Sequence, residues 1–176
     1  MASAAAPLAR RRGWRQVRPV ITGADTVGLR WMFAAFHLIA LGMGLGAVWA
    51  RSRALRQPLD AAGLDRVFEA DTWWGIAAAL WITTGLVRVF SGLDKGVEYY
   101  IHNDFFLLKM ALFVAILVLE VAVMRGLLRW RFAVRRGETP DTSAATTYAR
   151  RSYLQAILVV LMVLAASAMA RGFGMR

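Results

Sequence analysis

Residues Phe105 to Met124 read FFLLKMALFVAILVLEVAVM. An α-helix rises about 1.5 Å per residue, so this block covers the ~30 Å hydrocarbon core of a bilayer. Only Lys109 and Glu120 interrupt it. Three more blocks share its character: Leu29 to Trp49 (LRWMFAAFHLIALGMGLGAVW), Thr72 to Phe90 (TWWGIAAALWITTGLVRVF) and Tyr153 to Ala170 (YLQAILVVLMVLAASAMA). A transmembrane β-barrel would show shorter, alternating segments. Within lipid, backbone amides must be satisfied inside the segment, which leaves helices. The pattern therefore predicts an all-α, membrane-embedded four-helix bundle with spans near 29–49, 72–90, 105–124 and 153–170. A soluble bundle would need polar stripes that these blocks lack.

Composition agrees with that reading. The 176 residues are 59% hydrophobic and 19% charged, more apolar and less charged than an ordinary soluble domain. The net charge of +11 comes mostly from arginines that bracket the blocks. These cations sit on membrane-flanking segments without a recognisable nucleic-acid module, so the expected partner is the lipid bilayer and not nucleic acid. Cysteine is absent, which excludes disulfides, thiolate metal sites, thiol nucleophiles and covalent haem attachment. No P-loop, GxSxG, HExxH or dinucleotide fingerprint is present.

Outside the blocks, residues 1–26 form a basic tail with five arginines and no apolar core of a signal peptide. Residues 27–171 form the membrane domain. Leu59 to Asp71 carries four carboxylates and one arginine and extends the second helix into the interface, with Pro58 marking the preceding turn. Arg125 to Ser152 reads as a long loop around RRGETPDTSAATT. Trp31, Trp49, Trp73, Trp74, Tyr99, Tyr100, Trp130 and Tyr153 stand near block ends, where amphipathic rings anchor at headgroup depth. Ten cations fall on the side of the termini and eleven on the side of the first and third loops, with Lys109 inside the membrane. Five of the ten are in the distal tail, which tilts the first and third loops towards the cytoplasm of a bacterial inner membrane.

Polar residues within the spans are the candidate functional residues, because ionisable groups there pair or face an internal cavity. His102, Lys109 and Glu120 share one face of the third helix. His37 lies about 12 Å into the first span and Lys109 about 10 Å beyond His102, so the two are at similar depth. The second helix brings Thr83, Thr84 and Arg88 to the same half, with Asp104 at its entrance. Glu120 lies towards the opposite face, with Arg51 as its expected neighbour. A cluster of His37, Arg88, His102 and Lys109 is a candidate site for b-type haem or a porphyrin. His37 is the candidate iron ligand, and the basic groups are candidate partners for propionates. The depth difference between the histidines favours His37 as ligand, with Lys109 or water opposite. The plain alternative is hydrogen bonding between helices. Gly42 and Gly46 form a GxxxG pattern suited to close packing within the bundle, in a homodimer, or against a flat cofactor.

Three strings, FHLIALGMGLGAVWARSRAL, LDRVFEADTWWGIAAALWITTGLVR and KGVEYYIHNDFFLLKM, resemble a bacterial family of four-helix membrane proteins of unknown function, over roughly Leu29 to Ala170. A more distant similarity is to HemJ-type protoporphyrinogen oxidases and CopD-like membrane proteins. His37 followed by Gly42, Gly44 and Arg51, and His102 with Lys109, echo the HemJ-type pattern, although Leu108 stands where that pattern has an aromatic residue. HemJ-type proteins bind b-type haem, so this resemblance implies a haem or porphyrin role. Three functional readings follow: a haem-binding redox protein, an accessory subunit or assembly factor of a membrane complex, and a small proton-linked transporter.

Overall fold

The structure is a computed structural model that describes residues 23–91 and 101–174. Most of the basic tail, together with Lys95, Tyr99, Tyr100 and Arg176, lies outside the described residues. Four helices account for nearly all of the described chain: α1 (Gly23–Ala54), α2 (Ala61–Phe90), α3 (Asp104–Arg135) and α4 (Ala145–Ala170). Each is long and apolar enough to span a membrane.

Helices α2, α3 and α4 outrun their apolar blocks on the same side. α2 begins at Ala61, α3 continues to Arg135, and α4 begins at Ala145. The expected loop from Arg125 to Ser152 is therefore mostly helix, and only residues 136–144 connect α3 to α4. In these extensions charged residues alternate with buried ones at helical spacing. Leu55, Leu64, Val67, Val123, Leu127, Trp130 and Ala149 form an apolar core of their own. A second core, in the spans, contains Val48, Trp74, Ile116, Ala156, Val159 and Met162. The bundle thus has a lipid-embedded part and a packed basic stub.

Local chemistry sets the ends. Asp60 caps α2 by accepting from the Gly63 backbone N–H at 2.7 Å, just after the turn marked by Pro58. A Cβ at position 63 would collide with the Pro58 carbonyl, so this tight entry requires glycine. Asn103 caps α3 through Phe106 N–H at 3.1 Å and also donates to the Phe173 carbonyl at 2.9 Å, tying the end of the described chain to the start of α3.

α1 packs against α2 and α4, and α3 packs against α4. α2 and α3 barely approach each other, so the bundle is an open arc in the order α2, α1, α4, α3. Side chains cross the gap where Arg131 reaches Asp71 and where Trp81 meets Phe113, with ring centroids 5.6 Å apart.

Several sequence expectations change here. Trp31, Trp49 and Trp73 are exposed, as lipid-facing anchors would be, but Trp74 and Trp130 are buried. Helical rotation separates Trp73 from Trp74 by about 100°, which puts adjacent tryptophans on different faces. Gly42 and Gly46 have nothing within 4 Å of a built Cβ, so internal packing does not use the GxxxG pair. Gly44 between them does the close packing, against Trp74 and Ala77.

Candidate functional site

Where the apolar blocks end, the four helices share one polar layer. Its centre is Arg51 of α1, which has no exposed surface. Its guanidinium has five N–H donors, and five acceptors meet them. Nε donates to Ser152 Oγ at 3.1 Å. Nη1 donates to Asp71 Oδ1 at 2.7 Å and Glu120 Oε1 at 3.0 Å. Nη2 donates to Glu120 Oε2 at 2.7 Å and Gln155 Oε1 at 2.9 Å. The pair with Glu120 is bidentate, the strongest arrangement open to arginine and a carboxylate. The plane of Trp74 lies 5.8 Å from the guanidinium carbon.

The groups around the guanidinium's partners are also hydrogen-bonded. Gln155 Nε2 donates to Glu120 Oε2 at 2.8 Å and to the Ile116 carbonyl at 3.2 Å. Ser52 donates to the Ala149 carbonyl at 2.9 Å. Arg131 reaches Asp71 Oδ2 at 3.1 Å and the Phe68 carbonyl at 2.6 Å. Two arginines and two carboxylates balance, so the layer carries no net charge. Buried ions are tolerated when paired and fully hydrogen-bonded, and every helix contributes to this condition.

The second polar group lies in the other half of the spans. His37 of α1 is half-buried, and its Nδ1 is 2.8 Å from Thr84 Oγ1 of α2. The Thr84 hydroxyl lies 2.7 Å from the Leu80 carbonyl and 3.1 Å from that of Trp81. Thr84 has one proton, and it goes to its own helix. Its oxygen then accepts from His37, which places the imidazole proton on Nδ1 and leaves the Nε2 lone pair free. Trp81 stacks on the imidazole at a centroid distance of 5.1 Å. Arg88 and Lys109 are close enough to act electrostatically on the ring. The Lys109 ammonium sits 5.1 Å from the centre of the Phe106 ring.

Thus His37, Thr84, Arg88 and Lys109 converge as the depth comparison predicts. His102 is exposed in the turn before α3, and Asp104 is exposed in the first turn of α3, so neither shares the half-buried setting of His37. Arg51 and Glu120 pair as expected, but Arg51 is a buried hub and not an arginine reaching for headgroups. Asp71, Ser152, Gln155 and Arg131 are the residues that sequence reasoning missed. The available signal was Gln155, a polar side chain two residues inside an otherwise apolar block. Among the described residues, no group of three or more His, Asp or Glu side chains could hold a metal ion.

No curated protein matches the chain, and no solved structure does so either. Residues 29–174, which include both polar groups and all four helices apart from the start of α1, match one family. The chain belongs to the family described as predicted membrane protein (DUF2214).

Proposed function

We propose that this integral membrane protein binds b-type haem, or a related porphyrin, through His37 and serves a redox role in the bacterial cytoplasmic membrane. The observation that carries the proposal is the imidazole held in one tautomer by Thr84, with Nε2 unpartnered among the described residues. A metal-binding histidine is typically oriented in this way, by a hydrogen bond from its other nitrogen. Arg88 and Lys109 offer cationic partners for propionates, and the surrounding spans supply apolar walls. The donor set would offer the iron one imidazole, that of His37. His102 is exposed, in the turn before α3. When bound, haem would supply one-electron redox chemistry. His37 would hold the iron, Thr84 would fix the ring, and Trp81 would restrict its rotation. The resemblance to HemJ-type proteins points the same way.

The transporter reading rests on Lys109 and Glu120 lining one path, and both oxygens of Glu120 are engaged by Arg51 and Gln155. The test is the absorption spectrum of detergent-purified protein produced with haem supplied. A Soret band is expected, with His37→Ala abolishing it and Thr84→Val shifting or weakening it. A wild-type protein without the band, or an His37→Ala protein that retains it, overturns the assignment.

A further inference from the structure

The outer seam between α1 and α4 changes character along its length. On α1, Gly42, Trp49 and Arg53 are spaced seven and four residues apart, so they share one face. On α4, Arg150, Tyr153, Ile157 and Val160 are spaced three, four and three apart and also share one face. All seven residues are exposed. The two faces adjoin, because the rings of Trp49 and Tyr153 lie 5.6 Å apart. Arg56, in the turn after α1, sets its guanidinium carbon 5.7 Å from the centre of the Tyr153 ring. The two helices run antiparallel, and Arg51 bonds Ser152 across them. Arg53 and Arg150 are each two residues further towards the stub, so they stand at the same height.

The seam therefore has three zones: arginines, then aromatic rings, then apolar side chains. Tryptophan and tyrosine gather at the boundary between headgroups and hydrocarbon, which puts the arginines at phosphate level. Other arginines have carboxylate partners: Arg51 and Arg131 reach Asp71, and Arg136 reaches Glu138. Arg53, Arg56 and Arg150 form no ion pair among the described residues. Three unneutralised cations on one seam attract an anion. A guanidinium stacked on a ring keeps its in-plane N–H donors free, and these match a phosphate.

The form of the anion follows from the rest of the seam. A soluble anion would meet the arginines and leave the apolar zone untouched. A second copy, related by a two-fold axis, would bring the same arginines face to face. An amphiphile meets both zones. A Cβ built at Gly42 would find nothing within 4 Å, so the seam below the rings is open to a hydrocarbon chain. We propose that the α1–α4 seam binds an anionic phospholipid, its phosphate held by Arg53, Arg56 and Arg150 and an acyl chain laid past Gly42 and Val160. The seam shares no residue with the His37 group and does not depend on haem being bound.

The test is native mass spectrometry of the full-length protein in detergent, titrated with phosphatidylglycerol or with phosphatidylcholine of the same chains. A saturable first phosphatidylglycerol is expected, about 10-fold tighter than phosphatidylcholine. Each cation near a headgroup is worth about fivefold in affinity, so Arg53→Gln with Arg150→Gln should weaken binding about 25-fold. Arg66→Gln with Arg129→Gln removes the same charge from exposed positions on α2 and α3 and should leave that first lipid in place. Arg56→Gln, beyond the end of α1, is the milder variant if the double one fails to fold, with a loss of about fivefold expected. Equal retention of the two lipids overturns the proposal, as does an equal loss in the Arg66 and Arg129 variant. So do displacement by glycerol phosphate alone, which marks a site for free anions, and dimers that exclude the lipid, which mark a second copy. The haem reading stands or falls on the Soret band, a different measurement.

Discussion

Arg51 shows how much one side chain can organise when all its donors are met. Replacing it with methionine leaves Asp71 and Glu120 close together without their shared cation. Breaking a buried pair in this way destabilises by about 3–5 kcal/mol. Arg51→Met should therefore lower the thermal unfolding midpoint in detergent sharply, and Arg51→Lys should also lower it, because an ammonium has three donors for five acceptors. Arg131 is the contrast. Its side chain retains 26% exposure, and its contact with Asp71 is partly wet. Arg131→Ala should cost at most about 1 kcal/mol, measured in the same melt. Equal effects at Arg51 and Arg131 would contradict the central role of Arg51.

At the scale of elements, the contact between α3 and α4 depends on Gly126. A Cβ there would run into the Tyr148 ring. Gly126→Ala should push the helices apart and destabilise the bundle by about 1–3 kcal/mol, and adding Tyr148→Ala should recover part of that loss in a double-mutant comparison of unfolding midpoints. The connection beyond these helices carries its own pH response. A hydrogen bond from Arg136 holds the Glu138 carboxyl below its ordinary range, and the Ser143 backbone N–H does the same for Asp141. Lowered folded-state values mean that this local order is present above the usual carboxylate pKa of about 4 and is lost as pH falls through the folded values. Relative to the intrinsic exchange rate at each pH, amide protection in residues 136–144 should fall below about pH 4 and be retained at neutral pH. The spans were legible in the sequence because unbroken apolar runs have one solution in lipid. The helical extensions were not, because Leu64 and Val67, or Leu127 and Trp130, sit among charges that also describe a loop. The Arg51–Glu120 pair could be read from depth alone. Asp71 and Ser152 could not, since a polar residue at a block's edge looks the same whether it faces headgroups or a neighbouring helix. Trp74 was hidden by its neighbour Trp73, which does face outward.

The whole molecule has a polar plane, a lipid-embedded arc open on one side, and a basic stub beyond the plane. Its orientation can be tested because the chain has no native cysteine. A Thr142→Cys variant, placed in the α3–α4 connection, should resist a membrane-impermeant maleimide in intact cells and react in inverted vesicles if the stub faces the cytoplasm. The reverse pattern would turn the molecule over. The height of the polar plane also matters for how such a chain is made. During synthesis α1 enters the bilayer before Asp71, Glu120 and Gln155 exist, so Arg51 must wait for its partners. Near the end of its span it can wait with its head among lipid phosphates, at little expense. At mid-bilayer the same arginine would have blocked the first step of insertion. Setting the hub at the membrane's edge lets a chain threaded one helix at a time finish with a charge sealed inside it.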